Sequence, residues 1–441
     1  MTDTPRLWDA TALSGRGREM YSLIERLYPL CRSITGPGTE ATLAALQEAV
    51  PLTIERVPTG TQVFDWIVPR VWTIRDAYVK DPSGRRVIDF QESNLHVVGY
   101  SRPVHAHLSL DELKQRLFTL PEHPDWIPYR TSYYTDNWGL CAARSVVSAL
   151  PEGTYEVCVD AILDDGHLVY GEYLHPGANK EEVLFSTHIC HPSLCNDNLS
   201  GIALTLELAK LISKVKTHYS YRFLFIPGTI GSIAWLSRMG ERARVVKHGL
   251  VVTCVGDSGP FRYKRSRRGN AEIDRVVEHI LAHSGKKHHV YDFSPYGYDE
   301  RQYCSPGLNL AVGSLTRSSH GQYPQYHTSA DDLNLVSAES LQESLATYLR
   351  VIAALETNRV YVNTSPFCEP QLGRRGLYDD IGGRPDADAF RMALLWVLNF
   401  SDGEHSLLDI AEKSRLEIDL ISDAADALRH ADLLRERQYA V

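Results

Sequence analysis

The segment STHICHPSLCNDNLSG, residues 186–201, combines side chains that can bind a metal ion: two histidines, two cysteines and an aspartate. It follows the apolar run 183–185 and precedes a second apolar run, 202–212. Neutral imidazole and carboxylate groups are common zinc ligands in proteins. The segment is therefore either a metal site at the end of a strand or a polar loop that contains histidines for other reasons.

Further His and Asp residues follow predicted strands later in the chain. Asp257 ends the run GLVVTCVGD, and His327 lies in the loop YHTSADDL before a long predicted helix. Ligands of open parallel sheets bind beyond the carboxyl ends of the strands, so both residues are expected near His188 and Asp197. Structural alternatives exist, because Asp197 could cap a helix and Asp257 could belong to a turn before Ser258.

The positions of these residues depend on elements that alternate from residue 181 onward. Four apolar runs without polar alternation predict buried strands: EEVLFSTH, YRFLFIPGT, GLVVTCVGD and LNLAVGSL. Four segments with helical spacing follow them in turn: NLSGIALTLELAKLIS, IGSIAWLSRM, GNAEIDRVVEHILAHSG and SAESLQESLATYLRVIAALE. The pattern predicts an α/β fold in which a mostly parallel sheet is sandwiched by helices.

The rest of the chain has two other textures. Residues 52–165 are rich in Val, Ile, Tyr, Trp and turn residues, which predicts an inserted β-rich domain. The helical pattern of 16–51 is assigned, with 166–365, to the α/β domain. The segment GTYEVCVDAILDDGHLVYGEYLHPG predicts a hairpin that turns at Asp-Asp-Gly. Three helical segments predict a winged-helix-like domain at 380–441.

Composition limits the classes of partner. The net charge of −9 argues against nucleic acid, because a phosphate-binding face needs a basic excess. No apolar run approaches the length of a membrane helix, and MTDTPRLWDA lacks the basic start and apolar core of a signal peptide. The eight cysteines are scattered without zinc-finger spacing. We therefore expect a cytoplasmic protein with reduced thiols that binds neither membrane nor nucleic acid.

The motif CNDNLSGIALTLELAKL resembles the Asn-Asp-Asn-x-Ser-Gly helix start of the zinc aminopeptidase clan, which includes two-zinc aminopeptidases and single-zinc glutaminyl cyclases. His188 before this motif and YHTSAD near the end of the pattern extend the likeness. Nearly the whole chain resembles a bacterial group of aminopeptidase-like proteins with an inserted β domain and a C-terminal winged-helix-like domain. Members of that group are often named for polysaccharide biosynthesis, and the resemblance implies a zinc-aminopeptidase-like fold.

The resemblance also implies zinc as the cofactor and roles for single residues. His188 and Asp257 would bind one metal ion, and Asp197 would be the shared carboxylate. His327 would bind the second position, and Asp331 would orient a neighbouring ligand. The clan often has an aspartate two residues after its first histidine. The segment Cys-His at 190–191 stands there instead, so the usual support for that histidine is missing or is replaced by these two residues.

The chain departs from the clan at the second predicted strand. The clan has two adjacent glutamates there, a general base and a zinc ligand, whereas this chain has Gly228 and Thr229. Hydrolysis at a metal site needs a base close by. Asp299 and Glu300 in YGYDERQY are the candidates, because this loop borders the same edge in the clan; alternatively, they form a solvated acidic pair. The substitution Gly228→Glu is expected to raise peptidase activity if the pocket still accommodates the glutamate.

We therefore predict a zinc-dependent amide or peptide hydrolase of the aminopeptidase type, acting on a small peptide or an aminoacylated metabolite. The missing glutamate ligand predicts one zinc rather than two, held by His188 and Asp197 with either His327 or Asp257. The alternative is a non-peptidase metal-binding protein, or a cyclase or transferase that uses the same pocket. The acid-rich segment EIDLISDAADAL predicts protein contacts for the C-terminal domain, including those of a homo-oligomer.

Overall fold

The computed structural model describes residues 13–377 and 386–437. The N-terminal segment in which no signal peptide is predicted lies outside the described residues, as do 380–385 and 438–441 of the predicted C-terminal domain. The chain divides into two compact units. The first contains the residues up to Ala271 and His289–Ala346, and the second contains Glu272–His288 and the residues from Thr347 onward.

The strands of the described residues are β1 (Thr53–Pro58), β2 (Gln62–Val63), β3 (Trp66–Ile67), β4 (Val71–Lys80), β5 (Arg86–Asp89), β6 (Val104–Ser109), β7 (Leu117–Phe118), β8 (Leu140–Cys141), β9 (Thr154–Asp164), β10 (His167–His175), β11 (Glu182–His188), β12 (Ser220–Ile226), β13 (Val246–Val252), β14 (Phe261–Lys264), β15 (His288–Tyr291), β16 (Val312–Thr316), β17 (Val360–Asn363), β18 (Asp402–Ser406) and β19 (Leu434–Glu436). The α-helices of the same residues are α1 (Arg16–Leu27), α2 (Pro37–Gln47), α3 (Leu110–Lys114), α4 (Arg144–Ser148), α5 (Gly201–Ile212), α6 (Ile230–Met239), α7 (Glu272–Ala282), α8 (Glu300–Tyr303), α9 (Ala338–Thr357), α10 (Ala387–Phe400), α11 (Leu407–Ser414) and α12 (Ile418–His430).

The large sheet has the strand order β1-β10-β12-β11-β13-β16-β14-β15. Its central strands β12, β11, β13 and β16 pair in parallel. On one side β1, β10 and β12 pair antiparallel, and on the other side β14 pairs antiparallel with β16. The sheet is therefore mixed, and the predicted parallel pattern describes its centre. Every residue of β11 and β12 is buried, which explains why these runs lack polar alternation.

Helices α5 and α6 connect the parallel strands. All residues of α5 except Lys210 are buried, as expected for a helix that is apolar on nearly all sides. Helix α1 packs on α5, and α2 packs on β10. No described helix combines the length and the apolarity that are needed to cross a membrane.

The β-rich texture of residues 52–165 corresponds mainly to a second, four-stranded sheet in the order β5-β4-β9-β6. Its pairings are antiparallel, and the exposure of β6 alternates along the strand, as expected for a sheet with one covered face. Strand β1 also lies in this range but pairs with β10 in the large sheet. Texture alone does not reveal which sheet a strand joins.

The predicted hairpin around Asp-Asp-Gly is wrong. Strand β9 pairs with β4 and β6, whereas β10 pairs with β1 and β12, so the turn between them carries the chain from one sheet to the other. The burial patterns agree with this division, because β9 alternates whereas residues 168–171 of β10 are all buried. A local turn signal predicts a change of direction but not the partner of each strand.

The second unit contains α10, α11 and α12 with the three-stranded sheet β18-β17-β19. Ser406 and Asp409 form a capping box at the start of α11. Arg275 on α7 forms ion pairs with Asp409 at 2.6 Å and with Glu412 at 2.5 Å. The three helices match the predicted helical segments, whereas the strands were not predicted because each has only three to five residues.

A buried ion-pair network joins the parallel centre of the large sheet to its antiparallel side. Arg222 on β12 donates to both carboxylate oxygens of Glu182 on the adjacent β11, each at 2.6 Å. It also pairs with Glu172 on β10, which in turn accepts a hydrogen bond from Trp235 on α6 at 2.9 Å. The guanidinium group therefore joins three strands, and the Glu172 carboxylate joins the helix to them.

We expect Arg222→Met to lower the free energy of unfolding by about 3–5 kcal/mol, because it leaves the buried Glu182 carboxylate without its cation. The matched control is Arg238→Met, whose pair with Glu55 is partly exposed and should cost about 0–1 kcal/mol. Urea unfolding followed by circular dichroism measures both values. Equal losses in the two variants would contradict the importance of the buried pair.

Candidate metal centre

The candidate metal centre lies at the carboxyl end of the parallel strands. His188 is the last residue of β11 and is fully buried. The segment Cys195–Ser200 leads into α5 and forms a π-type turn. Within it, Asp197 and Asn198 have non-helical dihedral angles. His327 arrives from the loop before α9. The predicted convergence of His188, Asp197 and His327 is therefore what the structure shows.

Asp197 contacts both histidines. One carboxylate oxygen lies 2.9 Å from His188 Nε2, and the other lies 3.1 Å from His327 Nε2. Two atoms that bind the same zinc ion at about 2.0–2.2 Å in tetrahedral geometry are themselves about 3.3–3.6 Å apart. The two observed distances are those of direct hydrogen bonds, and an increase of a few tenths of an ångström would give the spacing of shared metal ligation.

Within residues 13–377 and 386–437, two groups of three side chains could each hold a metal ion, and both include Asp197. The first triad consists of His188, His191 and Asp197, and the second triad consists of Asp197, Cys254 and His320. Within each triad the ligand atoms lie within 4.8 Å of one another. Both ring nitrogens of His320 are buried, and neither has a hydrogen-bond partner among the described residues. Imidazole, carboxylate and thiolate are the zinc donor set, so the residues present fit this metal.

The ionisation states of the first triad also suit ligation, whereas in the second triad burial raises the pKa of the Cys254 thiol well above its usual value. Burial lowers the pKa of His191 well below its usual value, and this outweighs the opposing effect of Asp197. Burial by itself would raise the pKa of Asp197, but the imidazoles of His191, His188 and His327 hold it well below the usual value. The centre therefore contains a carboxylate beside a neutral imidazole, which are the protonation states that bind a metal cation.

The structure does not bring Asp257 into either triad. Its carboxylate accepts hydrogen bonds from Asn196 Nδ2 at 2.7 Å, from the Gly259 N–H at 2.6 Å and from Ser318 Oγ at 2.9 Å. Cys254, two residues after the end of β13, belongs to the second triad instead. The aspartate that the resemblance implied as a ligand supports the turn that carries Asp197, through the side chain of Asn196.

Cys254 and His320 were not predicted. Cys254 lies two residues after the end of β13, so counting from the strand end would have placed it at the same edge as His188. Cys254 and His327 both have positive φ angles, 51° and 55°, which non-glycine residues rarely adopt and which concentrate at functional sites. His320 has no comparable sequence signal, because it does not directly follow the end of a predicted strand.

Asp331 supports the turn that presents Asp197. Its two carboxylate oxygens accept the backbone N–H groups of Asn196 at 2.6 Å and of Asp197 at 2.9 Å. Burial raises the pKa of Asp331 to about 7, against the lowering effect of these two hydrogen bonds. The contacts fit the expected role of this residue in orienting a neighbouring ligand.

The two candidate bases have different surroundings. Glu300 forms an ion pair with Lys264 and accepts the N–H of Tyr298 at 3.1 Å. Asp299 accepts a hydrogen bond from Ser232 on one oxygen, at 2.7 Å, while its buried Oδ2 has no hydrogen-bond partner among the described residues. Burial raises the pKa of Asp299 to about 6. Both carboxylates are buried, so neither belongs to a solvated acidic pair.

Tyr298 fills the space beside Gly228. A Cβ atom at position 228 would overlap the Tyr298 ring and would lie 2.9 Å from Asp299 Oδ2. The same ring packs against His188 with a centroid distance of 4.2 Å, and its hydroxyl donates to the Gly228 carbonyl at 3.0 Å. The condition for Gly228→Glu to raise activity is not met, because the ring and the Asp299 carboxylate occupy the space that a glutamate needs.

The region predicted as the inserted domain supplies part of the wall of the candidate metal centre. Residues 127–129 bind the loop of His327 through backbone hydrogen bonds, including Tyr129 N–H to the His327 carbonyl at 2.8 Å. The Tyr129 ring lies edge-on to His191 and His327, with centroid distances of 5.1 and 5.0 Å. Nothing in the sequence distinguishes Tyr129 from the many other aromatic residues of that region.

Comparison with known proteins identifies the family. Residues 21–358 match the model of a family described as a domain of unknown function (DUF4910), and residues 359–436 match a winged helix-turn-helix model. The chain belongs to the first of these families. The winged-helix match begins before the predicted limit at 380, and it includes β17. The predicted C-terminal winged helix is confirmed.

A relative from Clostridium acetobutylicum is 53% identical over 422 residues, which are 96% of this chain and 97% of the relative. It is provisionally named a polysaccharide biosynthesis protein with an aminopeptidase-like domain. A crystal structure from the same organism, provisionally described as a peptidase, matches 97% of this chain and 99% of its own at 51% identity, with a TM-score of 0.92.

More distant structures show the fold alone. A zinc aminopeptidase from Bacillus subtilis matches 77% of this chain and 95% of its own at 12% identity, with a TM-score of 0.57. A peptidase M28 precursor from Shewanella amazonensis matches 79% and 96% at 13% identity, with a TM-score of 0.56. The predicted aminopeptidase-like α/β fold is thereby confirmed for this member of the family.

We predict one zinc ion per chain of this family member, because the glutamate ligand of the clan is absent and the two triads share one carboxylate. The variant His188→Ala should lose the ion, whereas Cys254→Ser should retain it. Elemental analysis of purified protein measures both, and His248→Ala, which removes a buried histidine outside the triads, is the control. Two zinc ions in the wild type, falling to one in Cys254→Ser, would contradict the prediction.

We expect Asp331→Asn to weaken metal binding about 10–100-fold, the usual effect of removing a residue that orients a ligand. An asparagine side chain can accept only one of the two backbone N–H groups that Asp331 now binds. Competition with a chelator measures the affinity. The adjacent Asp332→Asn provides the control, and equal affinities in the two variants would show that Asp331 does not position Asp197.

Proposed function

We propose that this chain is a zinc-dependent amide or peptide hydrolase of the aminopeptidase type. The observation that carries the proposal is the pair of triads that share the buried Asp197 carboxylate at the carboxyl edge of the large sheet. We further propose a small peptide or an aminoacylated metabolite as the substrate and the cytoplasm as the location. A homo-oligomer remains part of the proposal, with neither membrane nor nucleic acid as partner.

The proposed ligands are His188, His191 and Asp197, with His327 beside them and with Cys254 and His320 in the second triad. A bound zinc ion would polarise the carbonyl of the amide and make water more acidic. The residues of the chain then have three tasks: to hold the ion, to exclude bulk water and to accept a proton. Tyr129 and Tyr298 serve the second task, since both pack against the ligand imidazoles.

Asp299 is the residue that we propose as the proton acceptor. Its free Oδ2 atom would lie 2.9 Å from a Cβ at position 228, close to where the missing glutamate of the clan would begin. Ser232 fixes the other oxygen, so Oδ2 remains available for a proton. Burial raises the pKa of Asp299 to about 6, and a base near neutrality combines the deprotonated state with useful basicity. Glu300 is less suited, because Lys264 and a backbone N–H already bind its carboxylate.

A second function, metal binding without peptide hydrolysis, is favoured by one observation: the Tyr298 ring occupies the space that a side chain at position 228 would need. A cyclase or transferase that uses the same pocket belongs to this second class. Measured metal content, followed by a screen of peptides with free N-termini and of aminoacylated small molecules, separates the two. Chelator-sensitive hydrolysis supports the first function, whereas a full complement of metal without hydrolysis supports the second.

With a substrate from that screen, we expect Asp299→Asn to lower kcat about 10²–10⁴-fold, the contribution of a positioned base. Its metal content should not change, because Asp299 belongs to neither triad. Steady-state kinetics and elemental analysis measure the two quantities. Asp292→Asn is the control, since it makes the same chemical change at an exposed residue earlier in the same loop.

Glu300→Gln decides between the two carboxylates. Its expected effect is a loss of stability through the Lys264 pair, with much less effect on kcat than Asp299→Asn. A reversed order of the two kcat values would assign the base role to Glu300. Full turnover in both variants would exclude a carboxylate base from this loop.

A further inference from the structure

Lys264, the last residue of β14, is a mostly buried cation. Its side chain is 17% exposed, and β14 pairs with β16 in the large sheet. The Nζ atom donates to the Tyr296 carbonyl at 2.7 Å and to the Ser294 carbonyl at 3.4 Å, and it forms an ion pair with Glu300. An ammonium group has three N–H donors, so these contacts use all of them. Lys264 therefore joins a strand of the sheet to three positions of one segment, residues 294–300.

The segment 294–300 folds closely around this ammonium group. Gly297 has a φ angle of 148°, and a Cβ atom there would overlap both the Glu300 carboxylate and Lys264 Nζ. Only glycine fits at such a position. The Glu300 carboxylate also accepts the backbone N–H of Tyr298 at 3.1 Å. The shape of the segment therefore depends on the ion pair at its centre.

The same segment carries two residues of the candidate metal centre. The Tyr298 ring packs against His188 with a centroid distance of 4.2 Å. Asp299, the proposed proton acceptor, follows Tyr298 and precedes Glu300, and both of these neighbours belong to the arrangement around Lys264. Among the described residues, Lys264 has no hydrogen bond to a candidate metal ligand. Its contacts reach the centre only through the segment.

We propose that Lys264 is a positioning residue, which holds the segment 294–300 in the conformation that places Tyr298 and Asp299 at the candidate metal centre. The kinetic part of this proposal rests on the hydrolase function proposed above, in which Asp299 accepts a proton. Without the ammonium group, the buried Glu300 carboxylate loses its cation, and such a carboxylate is unstable away from water. The carboxylate then moves toward solvent, and the backbone on both sides of Asp299 moves with it.

Hydrogen exchange followed by mass spectrometry tests the structural part on the full-length, metal-containing protein. In Lys264→Met, the amides of the segment 294–300 should exchange about tenfold faster than in the wild type, because hydrogen bonds to a charged group are lost there. The metal content should not change. The matched control is Arg265→Met, which removes the neighbouring cation, whose partner Asp292 is 88% exposed. Exchange of the segment should remain as in the wild type in this control.

Steady-state kinetics on a substrate from the screen test the kinetic part. Lys264→Met should lower kcat about 10–100-fold, because a small misplacement of a catalytic group is enough for a loss of this size. KM should stay within about threefold, since Lys264 does not face the substrate. In an Asp299→Asn background the same substitution should change kcat less than about twofold, because residues that act as a unit are not additive. Lys264→Arg, which keeps the charge and the donors, should restore part of the lost kcat.

Two outcomes would overturn the proposal. Unchanged exchange of the segment in Lys264→Met would show that Lys264 does not hold it. An equal fold loss of kcat with and without Asp299 would assign Lys264 to stability alone. If Lys264→Met does not fold, Lys264→Gln replaces it in both comparisons, because it keeps donors and removes only the charge. Full turnover in Asp299→Asn would refute the proposed base, whereas the exchange measurement would still decide whether Lys264 holds the segment.

Discussion

The candidate metal centre depends on the burial of one carboxylate, that of Asp197. An ionised carboxylate away from water is unstable unless donors or cations surround it. Here His188 and His327 contact one oxygen each, and Asp331 binds the backbone N–H of the same residue. The end of β11, the turn before α5 and the loop before α9 must therefore meet at one point. The fold of the first unit therefore brings three segments together around one buried charge.

The sequence predicts the part of the centre that follows from strand ends. Buried strands lack polar alternation, so β11 and its end at His188 are recognisable, and the motif around Asp197 marks the next helix. Parallel strands then bring these residues to one edge. Asp257, which ends the run after β13, was predicted instead of Cys254, because the direction of a side chain after a strand depends on dihedral angles that the sequence does not reveal. His320 is harder still, since no strand end fixes its position.

Sheet membership shows a similar limit. The turn between β9 and β10 is recognisable from Asp-Asp-Gly, yet its two strands belong to different sheets. Local residue preferences determine where the chain reverses, whereas the partner of a strand depends on which apolar face it covers. Periodicity therefore predicted the types of elements well and their pairing less well. The same holds for β1, whose texture resembles the inserted region although it completes the large sheet.

The glycine at position 228, where the clan has a glutamate, belongs to a local arrangement that also involves Tyr298 and Asp299. Glycine at position 228 leaves room for the Tyr298 ring, which packs on His188, and the neighbouring Asp299 carboxylate approaches the same place from another loop. A side chain at 228 and the ring at 298 exclude each other. The loop that contains Asp299 therefore brings both an aromatic ring and a carboxylate to this place. The candidate metal ligands lie at the edge of the large sheet. The side chains that pack against them belong to this loop and to residues 127–129. A substrate of the proposed hydrolase would meet the walls formed by these side chains over most of its surface, so we expect its recognition to depend mainly on segments outside the parallel strands.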